Sequence, residues 1–215
     1  MKWKRDKKGL VTQGIAQNGN LSYKDRGLIG HTGVDWTNGY GHPTTVDNTG
    51  YVYKVYKPQE RKDNWTGIYQ LVPHGHHFIE VCMGHFSAVW VDEGETVKEG
   101  QYVGAEGNFG TVFSGGLQIT PEMQDNGDKR GSHVHESYRP VRRVSRTKRG
   151  EHYLRNSKGK TYRDADNKVY EIIYKDNGLN GCIDPTAFLH RSSFKEKVRA
   201  IGNAISQLGT LINRK

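Results

Sequence analysis

Apolar and polar residues alternate along several short segments of the chain, and glycine-containing turns separate these segments. Residues 49–57 (TGYVYKVYK) alternate in the way expected of a half-buried strand. Residues 68–72 and 78–83 are predicted to form a hairpin whose tip lies near His74 and Gly75. The pattern therefore predicts a mainly β fold built from antiparallel strands.

The composition agrees with this fold class. The 215 residues include 27 glycines and 12 tyrosines, and only 33% of the residues are hydrophobic. Such a mixture suits short strands and tight turns better than a helical bundle. The length favours one well-buried domain with an appendage, which we place at residues 1–190 and 191–215.

Residues 191–215 have the pattern of a C-terminal amphipathic helix. Ser193 and Glu196 have the spacing of a capping box. A narrow apolar seam follows at steps of three and four residues, and it consists of Phe194, Val198, Ile201, Ile205, Leu208 and Ile212. The seam predicts that the helix either packs on the preceding domain or provides a surface for docking or self-association.

The chain is basic, with 32 Lys and Arg residues against 23 Asp and Glu residues and a formal net charge of +9. This balance favours a polyanionic partner. The charge is concentrated in residues 139–163, a segment with ten Lys or Arg residues and one acidic residue, Glu151. Two interpretations stay open for this segment: a solvated hairpin, or a binding surface for a phosphate-rich polymer, with an affinity that falls as salt rises.

The cysteines and the N-terminal segment exclude several classes of protein. Cys82 and Cys182 form no C-x-x-C pair, so the sequence offers neither a zinc ribbon nor a redox motif, and two buried free thiols are expected. The basic first residues are not followed by an apolar segment, and no run of residues is long enough to cross a membrane. We therefore expect synthesis in the cytoplasm without a signal peptide.

Two short motifs contain residue types that bind metals. The motif IGHTGVDW holds His31 and Asp35, and the motif GSHVHES holds His133 and His135. Residues two or four positions apart in a strand point to the same face, so each pair is expected to project from one face, and two such pairs can converge on a cleft. Three other histidines near the hairpin tip are expected to be exposed turn residues: His74, His76 and His77.

These residues have the chemistry of a catalytic zinc site. Such a site uses three protein ligands and leaves a fourth tetrahedral position for water. His31, Asp35 and one histidine of the H-x-H pair would form this set. The zinc-peptidase motif H-E-x-x-H is absent, so the general base is expected among the remaining histidines, with His85 and His133 as candidates.

Four motifs occur in an order that resembles a known family. They are G-H-x-G-x-D-W, a hairpin that ends in G-H-F-S, the glycine-rich repeat V-x-x-G-x-x-V-x-x-G-Q-x-V-G-x-x-G-x-x-G, and G-S-H-x-H-E. In this order they resemble the lysostaphin or LytM family of zinc metallopeptidases, which cut peptide cross-links in bacterial peptidoglycan. The resemblance extends from about residue 14 to residue 189, where GCIDPTAFL is similar to the closing strand of that family.

The resemblance implies a role for each candidate residue and a Zn²⁺ cofactor. It implies that His31, Asp35 and His135 bind zinc. It further implies that His85 and His133 act on the attacking water and stabilise the oxyanion. Gly33 is then expected to leave the metal side of the strand open.

The resemblance also implies that residues 1–190 form an antiparallel β-sheet peptidase domain with a groove-like active site. The loop at residues 110–131 is longer than the link usual in the family, and we expect it to form a wall of the groove. The insertion at residues 139–163 is a candidate binding surface for an anionic wall polymer. Nucleic acid is a less economical partner for a packed enzyme domain.

The absent signal, the basic charge and the helical tail together point to a bacteriophage product. We expect it to act on the bacterial cell wall, either as a virion component or as a released lysin. The helix at residues 191–215 would then dock to a virion or tail protein, or self-associate. The alternative is a catalytically inactive structural tail protein or plug that uses the same fold to bind the wall.

Overall fold

A computed structural model describes residues 9–17, 23–58, 65–149 and 152–185 of the chain. The helix predicted at residues 191–215 lies outside these described residues. Its packing or docking, and the division of the chain at residue 190, therefore stay predictions.

The described residues form antiparallel strands together with one short α-helix, α1, at Pro121–Asp125. This confirms the predicted fold class. In chain order the strands are β1 Leu10–Gln13, β2 Val34–Thr37, β3 Pro43–Thr45, β4 Gly50–Tyr56, β5 Gly67–His74, β6 His77–Gly84, β7 Ala88–Val89, β8 Thr96–Val97, β9 Tyr102–Ala105, β10 Val112–Ser114, β11 Leu117–Ile119, β12 Val134–Val144 and β13 Val169–Ile172.

The strands form one large sheet and two small ones. The large sheet has the order β1-β2-β12-β6-β5-β4-β8, and β13 pairs with a further part of β12. The small sheets are β3-β9-β7 and the hairpin β10-β11. β12 is the longest strand, and it lies between β2 and β6. It therefore places residues 134–144 next to strands that come much earlier in the chain.

The hairpin predicted from the alternating pattern is formed by β5 and β6. The two strands pair from Gly67 opposite Gly84 to His74 opposite His77. The chain reverses at Gly75, whose φ of +59° is a left-handed conformation that glycine adopts without strain. The neighbouring strand β4 occupies most of the predicted segment 49–57.

Successive side chains of β6 and β12 point to opposite faces of the large sheet. One face carries Tyr138 and Ile79, which belong to the main hydrophobic core. The other face carries His135, Ser137 and Arg139, which line a cavity. The alternation in the sequence therefore separates the core from the cavity.

The basic segment at residues 139–163 is not a separate solvated hairpin. Its first six residues continue β12, and the chain then folds back over the large sheet. Residues 152–172 contribute to a second hydrophobic cluster of buried residues. This cluster consists of Tyr53, Leu71, Val141, Leu154, Tyr162, Tyr170 and Ile172.

Acidic residues compensate part of the positive charge of this segment. Arg142 pairs with Glu171, and Arg143 pairs with Asp164 and Asp166. Other members of the segment, among them Arg146, Lys148, Arg149, Lys158 and Lys160, are exposed to solvent.

The long loop at residues 110–131 has a regular structure. It contains the hairpin β10-β11 and then α1, whose N-terminus is capped by Thr120. The buried side chain of Gln124 donates hydrogen bonds to the carbonyl oxygens of Asn108 and Gly110. These bonds anchor the loop to the glycine-rich segment that precedes it.

Two further expectations can be compared with the described residues. Cys82 and Cys182 are both buried free thiols, as predicted. Within the described part of the chain, no helix is long and apolar enough to cross a membrane.

Candidate metal centre and active-site cavity

The five residues singled out in the sequence line one cavity of about 610 Å³. The floor of this cavity is the face of the large sheet that lies opposite the main core. Thr111 and Phe113 of the long loop form part of its lining, as expected for a wall of the groove. The five residues are His31, Asp35, His85, His133 and His135.

Asp35 and His135 face the cavity from neighbouring strands. They are directly opposite each other in the antiparallel pairing of β2 with β12. Asp35 also pairs with Gln13 of β1, so strands hold it on both sides. The sheet therefore fixes the carboxylate and this imidazole next to each other.

His31 reaches the same place from a loop, and the prediction that it shares a strand with Asp35 is wrong. β2 begins only at Val34. The backbone N–H of His31 donates to the carbonyl of Gln17, and its own carbonyl accepts from the N–H of Ala16. These backbone bonds, rather than strand periodicity, aim the imidazole at the cavity.

Gly33 lies where two segments of the site approach each other closely. A Cβ at this position would clash with the carbonyl oxygen of Glu136 and would lie 2.8 Å from Cε1 of His135. Glycine is thus required here because the backbone of β12 approaches closely, and its expected effect on access to the metal stays a prediction. The close approach brings the loop of His31 against the strand of His135.

The ligand atoms of His31, Asp35 and His135 form a compact triangle. Nε2 of His31 lies 2.9 Å from Nδ1 of His135, and these two nitrogens lie 3.2 Å and 3.0 Å from Oδ1 of Asp35. Among the described residues, these three form the group able to hold a metal ion.

A hydrogen bond fixes the tautomer of His31. Its Nδ1 lies 3.1 Å from the carbonyl oxygen of Gly14, which can only accept a hydrogen bond. The proton of the neutral ring is therefore on Nδ1, and Nε2 presents a lone pair to the triangle. A carbonyl that orients a histidine in this way is typical of metal-ligating imidazoles.

The triangle has the dimensions that a zinc ion requires. Zn–N and Zn–O bonds of about 2.0–2.1 Å place the ligand atoms of a tetrahedron about 3.3 Å apart. The three separations, 2.9, 3.0 and 3.2 Å, are close to this value. Two imidazoles and one carboxylate also match the donor types of catalytic zinc sites. The residues present therefore fit the metal that the sequence motifs imply.

The electrostatics of the triangle favour the protonation states that bind metal. Burial alone would raise the pKa of Asp35, but its close contacts with the imidazoles of His135 and His31 hold it well below its usual value. Burial lowers the pKa of His135, although the charge of Asp35 opposes this shift. An ionised carboxylate and a neutral imidazole are the forms that a metal needs.

His85 and His133 stand beside the triangle with their ring centroids 4.5 Å apart. Nδ1 of His85 donates to the carbonyl of Phe109 at 2.6 Å, and Nδ1 of His133 donates to the carbonyl of Gly131 at 2.7 Å. In each ring, Nε2 is the nitrogen that stays available for a catalytic role. Nε2 of His133 lies 3.6 Å from Oδ2 of Asp35, which places it at the edge of the triangle.

Burial and backbone conformation mark His85 as a special position. Burial, together with the neighbouring His133 and His135, lowers the pKa of His85 well below its usual value, so its ring is neutral. Its φ of +66° is uncommon for a residue with a side chain, and such conformations cluster at functional sites.

The sequence did not reveal that Trp65 belongs to this site. Its ring packs edge-on against His85 at a centroid distance of 4.8 Å and against His135 at 6.1 Å. A Cβ on Gly84 would clash with this indole. The glycine of the G-H-F-S motif was therefore the one feature of the sequence that could have indicated a bulky neighbour at this position. The segment that precedes Trp65 is polar and has no periodicity from which to place it.

The other end of the cavity contains an ion pair that the sequence also did not reveal. Arg139 donates two hydrogen bonds to Glu80, which is 1% exposed, and Tyr53 donates a third. Burial disfavours the charge of Arg139, but the carboxylate of Glu80 raises its pKa above the usual value.

The histidines at the hairpin tip are not part of the site. His76 and His77 are exposed, and His74 is half-buried in the strand that leads to the tip. Among the described residues, none of the three belongs to a group that could hold a metal.

No protein-family model matches the chain, and no curated protein matches it. Solved structures of peptidases are similar to it at low sequence identity. The catalytic domain of lysostaphin from Staphylococcus simulans is 16% identical over 85% of this chain and 92% of that chain, with a TM-score of 0.47. The catalytic domain of the prophage-encoded protein EnpA from Enterococcus faecalis is 22% identical over 60% and 79%, with a TM-score of 0.41.

A zinc-containing peptidase from Vibrio cholerae is 20% identical over 60% of this chain, with a TM-score of 0.40. The match spans 33% of the length of that protein.

Proposed function

We propose that this chain is a zinc-dependent endopeptidase that hydrolyses peptide cross-links of bacterial peptidoglycan. The observation that carries the proposal is the triangle of His31, Asp35 and His135, whose ligand atoms lie 2.9–3.2 Å apart in a cavity that two further histidines share. The substrate class comes from the motif order, which resembles the lysostaphin or LytM family.

Different residues of the cavity have different roles in the proposed reaction. Zinc held by the triangle would supply Lewis acidity towards the scissile carbonyl and lower the pKa of a water molecule. The Nδ1 atoms of His85 and His133 are bound to backbone carbonyls, so their Nε2 atoms are the available groups. One Nε2 accepts the proton of the attacking water and passes it to the leaving amine. The other ring, when it carries a proton on both nitrogens, donates a hydrogen bond from Nε2 to the developing oxyanion.

Because its ring is neutral, His85 is the candidate for the general base of this pair. A ring whose pKa lies well below its usual value is unprotonated at Nε2 at neutral pH. Burial, the contact with Trp65 and the bond to Phe109 hold the ring in one orientation. A base with a fixed orientation needs no rearrangement when the water attacks.

The cavity also suits an extended peptide. Along β12, Arg139 lies four positions after His135, which corresponds to about 13 Å of strand. Both side chains line the cavity, so it continues beyond the metal ligands along the sheet. A stretch of extended peptide can lie along this floor with its scissile bond at the triangle.

We further propose that the protein acts on the bacterial cell wall as a bacteriophage product, bound to a virion or released as a lysin. The formal net charge of +9 supports contact with an anionic wall. Exposed basic residues of the 139–163 segment are candidate contacts for an anionic wall polymer, and Arg146, Lys148 and Arg149 are among them.

Digestion of purified peptidoglycan tests the proposed activity. The zinc-loaded protein should release new amino groups from cross-linked peptides, and mass spectrometry of the products identifies the bond that is cut. A metal chelator should stop the release, and added zinc should restore it. Failure of the zinc-loaded protein to free any amine from walls of several cross-link types would refute the activity and favour an inactive structural protein that binds the wall.

A further inference from the structure

Glu106 has a fully buried carboxylate that accepts four hydrogen bonds. The hydroxyl of Thr37 and the backbone N–H groups of Asn38 and Gly39 donate from the end of β2 and the turn that follows it. The hydroxyl of Ser132 donates from the other side, at 3.0 Å. A buried carboxylate is costly unless such donors replace its water, so this set of bonds holds both segments in place.

The two segments that Glu106 joins carry residues of the proposed active site. Thr37 lies two residues beyond Asp35 in β2, and Ser132 immediately precedes His133. The main chain adds to this link, because Gly107 accepts a hydrogen bond from the backbone N–H of His133 at 3.0 Å. The segment around Glu106 thus holds the backbone of His133 from two directions.

His133 needs such support because it lies just outside regular structure. β12 begins at Val134, so the backbone of His133 is held by an isolated bridge to Gly107, and its ring is bonded to the carbonyl of Gly131. Asp35, in contrast, is held in a strand with partners on both sides. A weakened anchor would therefore displace His133 before it displaced the metal ligands.

We infer that Glu106 is a positioning residue that fixes His133 relative to Asp35, across the 3.6 Å between Nε2 of His133 and Oδ2 of Asp35. This inference rests on the proposed function for its catalytic consequence. Its structural part, the placement of the His133 ring, does not depend on what the protein cuts.

The Glu106→Gln substitution tests the role with little change in volume. All four partners of the carboxylate are donors, so the NH₂ group of glutamine would face at least one donor that it cannot accept from. We expect kcat on purified walls to fall at least tenfold, with an unchanged apparent KM and about one zinc per chain retained. Ser132→Ala should produce a smaller loss of the same kind, since it removes only the bond next to His133.

The double variant Glu106→Gln/Ser132→Ala should be no slower than Glu106→Gln alone, because both changes break the same link. Glu93→Gln is the matched control, since Glu93 accepts backbone N–H bonds from Val55 and Ser157 and does not line the cavity. It should leave kcat unchanged.

Long-range ¹⁵N–¹H NMR spectra of the imidazole rings give a second readout that requires no turnover. In the Glu106→Gln and Ser132→Ala variants the His133 signals should shift, whereas the His31 and His135 signals should stay in place. Ser132→Ala removes a single hydrogen bond, so it decides the question if Glu106→Gln does not fold.

Wild-type kcat and unshifted His133 signals in Ser132→Ala would overturn the inference, even if thermal stability fell. Loss of zinc together with activity would overturn it as well, because Glu106 would then act on the metal ligands. If the wild-type protein cuts no wall, the proposed function fails, and the NMR spectra alone decide the role of Glu106.

Discussion

Nε2 of His31 faces Nδ1 of His135 at 2.9 Å, although 104 positions separate the two residues in the chain. Nδ1 of His31 is committed to the carbonyl of Gly14, so its Nε2 presents a lone pair to the other ring. These two nitrogens and Oδ1 of Asp35 lie within 3.2 Å of one another, so one metal ion can bind all three atoms. The geometry fits zinc, and this leads to the first prediction.

The purified protein should contain about one zinc per chain by elemental analysis. His31→Ala, Asp35→Ala and His135→Ala should each deplete the metal, because loss of one of three protein ligands removes much of the affinity. His77→Ala is the matched control, since it removes an exposed histidine at the hairpin tip, and it should retain zinc. Full zinc content in all three ligand variants would exclude the proposed site.

Gly33→Ala should damage the metal centre without removing a ligand. The new Cβ would clash with the carbonyl of Glu136 and press against the ring of His135. Forcing a group into such a packed site costs about 1–3 kcal/mol of stability, and it would push β12 away from the loop of His31. We expect a lower melting temperature and weaker zinc binding, measured by competition with a chromogenic chelator.

Gly14→Ala is the control for this substitution. The atoms nearest to a Cβ at Gly14 would belong to the flexible side chain of Gln17, at 3.2 Å or more, and the carbonyl that orients His31 is kept. Zinc binding in Gly14→Ala should therefore match that of the wild type. Equal zinc affinity in Gly33→Ala and Gly14→Ala would show that the close approach of β12 to Gly33 does not affect zinc binding.

The ion pair of Arg139 and Glu80 should contribute to stability more than the ion pairs on the surface. Arg139→Met would leave the buried carboxylate of Glu80 without its cation, at a cost of about 3 kcal/mol in the free energy of unfolding. Arg142→Met breaks a pair whose arginine side chain is 56% exposed, and it should cost less than about 1 kcal/mol. Urea unfolding of both variants measures the difference, and equal costs would argue against a buried pair.

The two thiols should be unreactive in the folded protein. Burial, followed by the nearby charge of Glu80, raises the pKa of Cys82 to about 12, and burial raises the pKa of Cys182 to about 11. At pH 8.5 both thiols are therefore protonated in the folded state, whereas about half of each is ionised in the unfolded chain. Iodoacetamide should label neither cysteine before denaturant is added, and both afterwards.

The same shifts have a consequence for stability. A thiol whose pKa is higher in the folded state than in the unfolded state stabilises the folded protein. This contribution to the free energy of unfolding is fully present at pH below about 8.5, and it is lost as pH rises towards the folded-state pKa. Stability should thus fall between pH 8.5 and pH 11, and Cys82→Ala should make the fall less steep. An unchanged pH slope in this variant would contradict the raised pKa of Cys82.

Local patterns in the sequence were sufficient to predict the strands near the cavity. The alternation at residues 49–57 and the hairpin around Gly75 are both found in the structure, because side-chain alternation and turn chemistry are properties of neighbouring residues. The metal-binding residue types of the two motifs line one cavity in the structure.

Contacts between distant segments were not predictable in this way. His31 reaches the cavity from a loop, and its orientation depends on backbone bonds to residues 14–17 rather than on a strand. Trp65 and Glu106 act through partners twenty or more positions away, and no periodicity indicates such partners. The basic segment was expected to be either a solvated hairpin or a binding surface, and both of its tyrosines, Tyr153 and Tyr162, are buried, which a solvated hairpin would not show.

The central claim is that a zinc ion and two histidines that do not bind it hydrolyse a peptide bond. The most direct measurement determines zinc content and amine release from purified walls on the same samples of wild type, His85→Ala and His133→Ala. The wild type should hold about one zinc and free amines, and both variants should keep the zinc but lose about 10²-fold or more of the rate. Wild-type rates in the zinc-loaded variants would contradict the account, and so would a loss of zinc in His133→Ala together with its retention in His135→Ala.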